Sequence, residues 1–290
     1  MTSRIVALTD FSEAGEACLE RAARLAAHKR WGLRIVYVAE KNKAMEPGPL
    51  ARLGVCSRQL ARRYNVPVEA ASHVVISGAQ LIDATSSAQL VVTHPMYEAG
   101  RGWFWRDTVI DQLIRNCHCP ILMVNKAQDG PYRRMLVGVD FSERSRELVG
   151  RACEIVPEAE LHLFHVIGRS DEARLRSSDA SVEAIKAYRR QVNANAEERL
   201  FRLADSLDTR RNRVMFFVGY GDTALQTSVQ QEAVSADLIV VGKQRQSALR
   251  ELFTGSLAGR LVRIAGSDIL IVPQRAGHTF MAENHTAGLR

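Results

Sequence analysis

Short apolar runs alternate with amphipathic stretches along most of this chain. IVAL (5–8), LVV (90–92), ILMV (121–124), LIVV (238–241) and ILIV (269–272) are continuous rather than alternating. That is the pattern of strands covered by helices on both faces of a parallel sheet. Between them, apolar residues recur at the three- and four-residue spacing of a buried helical face. Cys18, Ala22, Leu25 and Ala26 form one such stripe, and Leu148, Ala152, Ile155 and Val156 another. Val182, Ile185, Val192, Ala196, Leu200, Leu203 and Leu207 predict a long amphipathic helix, and Leu257, Leu261 and Ile264 a shorter last one.

The pattern is written twice. IVALTDFSE (5–13) returns as MLVGVDFSE (135–143), LRIVYVAE (33–40) as LHLFHVIG (161–168), and PILMV (120–124) as DILIV (268–272). Gly78 is matched by Gly221, and LVVTH (90–94) by IVVGK (239–243). Each copy reads strand-helix four times and ends on a strand, which predicts two doubly wound α/β domains, 1–128 and 129–274. The polar NKAQDGPY (125–132) separates them, and 275–290 is an aperiodic tail expected to be loose. The last strand of each copy is short and β-branched. Antiparallel pairing of those two edges would satisfy their backbone groups and join the copies as an intramolecular pseudo-dimer, leaving room for a homodimer of the whole chain.

Composition narrows the function classes. A chain of 290 residues with 46% hydrophobic residues can fill two cores. No apolar run is long enough for a transmembrane helix. MTSRIVALTD enters a strand pattern at once, without the charged and apolar regions of an export signal, so a cytoplasmic protein is expected. Five irregularly spaced cysteines argue against a disulfide framework. The net charge of +7 favours polyanions without choosing among them. No block of like charges marks a nucleic-acid arm, so nucleic acid is not an expected partner.

In an open parallel sheet, ligands bind beyond the carboxyl ends of the strands where strand order reverses. In the second copy that end gathers Asp140, His165-Val166, Gly221 and Gly242. Asp140 can accept hydrogen bonds from a ribose or base, or can be a turn residue that helps Ser142 cap the next helix. GKQRQSALRELFTGS (242–256) has two readings as well. It is either a strand-to-helix connection or a phosphate cradle, with Gly242 allowing close backbone approach and Gly255-Ser256 opening a helix whose free amides hold oxygens.

The duplicated DFSE turn, the ADLIVVGK strand and GSLAGRLVRIAGSDILIV together resemble the universal stress protein family, over nearly the whole chain and in tandem form. The resemblance implies a five-stranded parallel sheet in each copy and a stress-response regulator that acts by binding. It also implies an adenine-nucleotide site, for ATP or a relative, in the second copy. Nucleotide-binding members carry G-x-x-G-x9-G-[S/T]; here Gly242, Gly255 and Ser256 keep the spacing, with Arg245 at the second glycine. That arginine either forks onto phosphate or fills the space. On the same pattern Asp140 and the Val166 backbone face the base and ribose. In the first copy Thr93 replaces the first glycine, His94-Pro95-Met96 follows, and Asp107-Thr108 stands for Gly-Ser, so no triphosphate is expected there.

The remaining candidates carry less chemistry. CHCP (117–120) offers too few ligands for zinc and reads as a packed strand entrance. His94 and His118 show no partner. In Trp103-Phe104-Trp105, Trp105 reads as packing under the helix and Trp103-Phe104 as closing the emptied nucleotide pocket or an interdomain seam, with an apolar ligand or partner surface as the alternative. No nucleophile elbow, P-loop or dinucleotide fingerprint is present. The expectation is therefore a non-enzymatic regulator with an unidentified protein partner and no metal site. The alternatives are a nucleotide-free module that binds protein or lipid, with both pockets degenerate, and a weak ATP hydrolase.

Overall fold

The computed structural model describes residues 4–39, 47–95, 109–126, 130–168, 181–207, 214–243 and 257–273. The first half runs β1 (Arg4–Thr9), α1 (Glu13–Lys29), β2 (Gly32–Tyr37), α2 (Pro49–Tyr64), β3 (Val68–Ala70), α3 (Gly78–Thr85), β4 (Leu90–Thr93), α4 (Val109–Asn116) and β5 (Ile121–Met123). The second runs β6 (Arg134–Gly138), α5 (Ser145–Ile155), β7 (Glu160–Ile167), α6 (Val182–Asp205), β8 (Val214–Tyr220), α7 (Thr223–Ala233), β9 (Leu238–Lys243), α8 (Leu257–Ile264) and β10 (Asp268–Pro273). This is the element order that the periodicity predicts.

All ten strands lie in one sheet, ordered β3-β2-β1-β4-β5-β10-β9-β6-β7-β8. Every neighbouring pair is parallel except β5 and β10, which run antiparallel with Leu122 opposite Leu270. The two short strands thus cover each other's edges, as expected from their composition.

Alternation along each strand sends side chains to opposite faces. Ile5, Ala7, Val137 and Val240 pack with Cys18, Leu53, Val149 and Leu200, so α1, α2, α5 and α6 cover one face. Val6, Leu8, Ile239 and Val241 pack with Leu81, Leu113, Ala224 and Leu261, so α3, α4, α7 and α8 cover the other. Each of these two clusters draws on both halves, so the core is continuous across the β5–β10 junction.

A buried polar cluster fixes that junction. Asp268, fully buried at the head of β10, accepts hydrogen bonds from the amides of Asn125 (2.9 Å) and Lys126 (3.2 Å) and from the Tyr132 hydroxyl (2.6 Å). Arg21 of α1 brings its Nε within 3.7 Å of the same carboxylate, lies over the Tyr132 ring and donates to the Gly130 carbonyl. Burial pushes the Asp268 carboxyl up, while Tyr132, Arg21 and the two amides oppose that shift. A buried carboxylate needs such a set of donors to remain charged.

Three local expectations need correction. Ser142 does not cap α5, which starts at Ser145 without a side-chain cap, because Ser142 gives both its amide and its hydroxyl to Asp140. Val182 is exposed: α6 is 24 residues long, about 36 Å, and it is Ala196 and Leu200, towards its other end, that are buried. Ile264 is exposed too, since α8 faces the core through Ala258, Leu261 and Val262.

Candidate functional site

The chain leaves β6 for β7 on one side and returns to β9 on the other, so strand order reverses at β6. Register makes the carboxyl ends of these strands level: Gly138 of β6 stands opposite Phe164 of β7 and Val241 of β9. Two residues further on, Asp140, Val166 and Lys243 share one rim, with Gly242 just below it. Three of the six predicted site residues, Asp140, Val166 and Gly242, are therefore brought together. Arg245, Gly255 and Ser256 lie outside the described residues, as do Trp103, Phe104, Trp105, Asp107, Thr108 and the tail.

The DFSE turn builds the centre of this rim. Phe141 takes a left-handed conformation (φ 60°), which turns the chain sharply after Asp140. Asp140 Oδ1 accepts from Ser142 N (3.0 Å), Ser142 Oγ (2.7 Å) and Ser145 Oγ (3.1 Å), yet Asp140 remains exposed. The Phe141 ring lies between His165 (4.2 Å between ring centroids) and the Arg199 guanidinium (4.4 Å). His165 Nδ1 is 2.8 Å from the Val139 carbonyl. Burial pushes the His165 imidazole below its usual range, helped by Arg199 and opposed by the Val139 carbonyl and Asp140. A neutral ring donating from Nδ1 to that carbonyl fits these surroundings. Arg260 of α8 forms a two-pronged contact with Asp222 (2.8 and 2.9 Å), which also caps α7.

The first half repeats the turn with a different outcome. Phe11 is again left-handed (φ 60°) and packs on Tyr37 and under Arg52. Asp10 again accepts from Ser12. Here, however, His94 follows β4 and places Nε2 3.0 Å from Asp10 Oδ1, with both side chains almost fully buried. Burial opposes ionisation of Asp10, but the contacts from His94 and Ser12 outweigh it and hold the carboxyl well below the usual range. The flanking Val38 and Thr93 are buried too. His94 thus has a partner that sequence reasoning missed. The available signal was its alignment with Lys243, a position level with the DFSE aspartate.

Among the described residues no cluster of three or more His, Cys, Asp or Glu side chains could hold a metal, and no helix is long and apolar enough to cross a membrane.

Residues 131–273 match the model of the universal stress protein family. This second half is a universal stress protein domain. Universal stress protein A homolog 1 of Coxiella burnetii (strain RSA 493 / Nine Mile phase I) is 27% identical over 143 residues, 49% of this chain and 96% of that protein. The crystal structure of a universal stress protein from Archaeoglobus fulgidus DSM 4304 is similar with a TM-score of 0.60 and 16% identity, over 95% of this chain and 100% of that one. A putative universal stress protein from Pseudomonas aeruginosa UCBPP-PA14 gives a TM-score of 0.62 and 15% identity, over 94% and 93%. At such identities the structural likeness shows the α/β fold alone, and it extends over nearly the whole chain.

Proposed function

We propose that the chain is a tandem universal stress protein whose second domain binds an adenine nucleotide, ATP or a relative, and whose first domain has lost that site. In this reading residues 1–128 and 129–274 are the two domains, paired through β5 and β10 as an intramolecular pseudo-dimer. The protein acts in the cytoplasm as a non-enzymatic regulator of a stress response, the nucleotide altering the surface offered to a protein partner.

One observation carries the reading: the two strand-order reversals differ in accessibility. Asp140 is exposed and Val166, Gly242 and Lys243 are half-buried, whereas at the matching places the Asp10 side chain is almost fully buried and Val38, Thr93 and His94 are buried. A glycine at 242 leaves the strand end bare for a ligand, and the β6–β9 crevice is where a doubly wound sheet takes one. The five cysteines are all free thiols, which fits a reducing compartment.

Calorimetric titration of the full chain with ATP tests the proposal. Binding of one nucleotide per chain, lost in Gly255→Asp, is expected; Asp is the residue that the first copy carries at this place. Absence of heat at millimolar ATP would overturn the nucleotide assignment and leave a nucleotide-free module for a protein or lipid partner. Steady phosphate release by the purified protein would overturn the non-enzymatic assignment.

A further inference from the structure

The CHCP segment joins α4 to β5 with its backbone tied at both ends: the Cys117 amide donates to the Leu113 carbonyl, and Val91 of β4 donates to the Pro120 carbonyl. Both cysteines are buried. Their sulfurs are 3.3 Å apart and share a hydrogen bond. We propose that Cys117 and Cys119 are a thiol–disulfide pair oxidised by hydrogen peroxide, with Cys117 as the attacking sulfur and Cys119 as the resolving one.

The surroundings assign these roles. The hydrogen bond from Cys119 brings the Cys117 thiol down to about 7 against the effect of burial, and the positive charge of Lys243 helps. The same bond, together with burial, pushes Cys119 up. Burial pushes Cys18, Cys56 and Cys153 up as well. The pair therefore holds the one cysteine of five with an appreciable thiolate fraction near neutral pH, although Cys56 and Cys153 are more exposed. Lys243 is held at this place by donating to the Arg115 carbonyl in the last turn of α4.

The reaction balances with the peroxide alone. The Cys117 thiolate attacks one peroxide oxygen, the O–O bond breaks, and the departing hydroxide takes up a proton to become water. The resulting sulfenic acid is attacked by the Cys119 sulfur. The S–O bond breaks, and its oxygen leaves with the Cys119 proton as a second water. The two sulfurs are oxidised and the peroxide is reduced. Closing to a disulfide needs the sulfurs to approach by about 1 Å.

The test is to treat the full chain with stoichiometric hydrogen peroxide near neutral pH, alkylate the remaining thiols and map each cysteine by mass spectrometry over time. The peptide carrying both sulfurs is expected to lose two hydrogens and resist alkylation, roughly tenfold faster than Cys56 or Cys153 react, and a thiol reductant should restore it. In Cys119→Ser, Cys117 should stop at the sulfenic acid and be labelled by a cyclic 1,3-diketone. Retention of both thiols while other cysteines oxidise, or oxidation of all five at similar rates, would overturn the proposal. So would a folded Cys119→Ser protein that takes no label. If that variant does not fold, the wild-type time course decides alone.

Discussion

The two DFSE turns use the same residues to make opposite surfaces. In the first half the aspartate lies under His94 and closes the strand ends; in the second it stands exposed above them. The neighbouring positions follow suit. Gly15 leaves Asp10 its room, since a Cβ there would meet Asp10 Oδ1 and Thr9 Oγ1 at 2.7 Å. Its match, Ser145, donates to Asp140 from the same direction. Thr93 and His94 become Gly242 and Lys243, and the lysine reaches the α4 carbonyl of Arg115 rather than sinking into the sheet. A duplicated scaffold thus keeps its turn for structural reasons while substitutions at a few strand-end positions decide whether its aspartate is buried or exposed.

The comparison can be broken most severely at His94. His94→Leu takes the imidazole from the buried Asp10 carboxylate and leaves it the Ser12 donors; the change should cost about 3 kcal/mol of stability. Urea unfolding measures it, and Asp10→Asn added to that background should recover part of the loss. A loss below about 0.5 kcal/mol would mean that the pair is no more than a surface contact. Gly15→Ser, which gives the first half the second half's residue, should cost about 2 kcal/mol through overpacking against Asp10 and Thr9. An unchanged unfolding midpoint would show that the two turns tolerate each other's chemistry.

The converse exchange sharpens the functional side. Gly242→Thr with Lys243→His gives the second strand end the first half's residues. It should weaken ATP binding at least tenfold, about 1.4 kcal/mol, with the unfolding midpoint little changed; undiminished affinity would detach the nucleotide from this rim.

The smallest effect concerns pH. His162 of β7 is buried against Phe217, neither ring nitrogen has a hydrogen-bond partner, and Glu160 Oε2 lies 3.8 Å from Nε2. Burial lowers its affinity for a proton, aided by Arg134 and opposed by Glu160. The unfolded chain, with an ordinary value of about 6.5, then binds the proton first. Stability is full above that value and falls as the solution is acidified through it. The matching residue of the first half is Arg34. His162→Phe should flatten the decline in the urea midpoint between neutral and mildly acidic pH, whereas an unaltered slope would place the sensitivity elsewhere.

Much of this was legible in the chain itself. Continuous apolar runs require cover on both faces, so the β–α order and the parallel sheet follow from periodicity. The apolar ends ILMV and ILIV also foretold the β5–β10 contact. At the site, Asp140, Val166 and Gly242 could be placed because each directly follows or ends a recognisable strand. Asp268 gave a visible signal as a charged residue heading an apolar strand, but nothing local named Tyr132, Asn125, Lys126 and Arg21 as its donors. The exposed Val182 and Ile264 show the limit of a helical stripe, which states a helix's apolar side and not how far the sheet beneath it extends.

The sequence by itself determined the doubled α/β grammar, the turn chemistry of DFSE and the places where strands end, because these depend on each residue and its near neighbours. Only the tertiary structure decided that His94 meets Asp10, that the two cysteine sulfurs share a hydrogen bond, and that one DFSE aspartate is buried while the other is exposed. Burial and ion pairing depend on which strand stands alongside. That neighbour is chosen by packing the whole sheet, so polar residues far apart in the chain acquire their roles there.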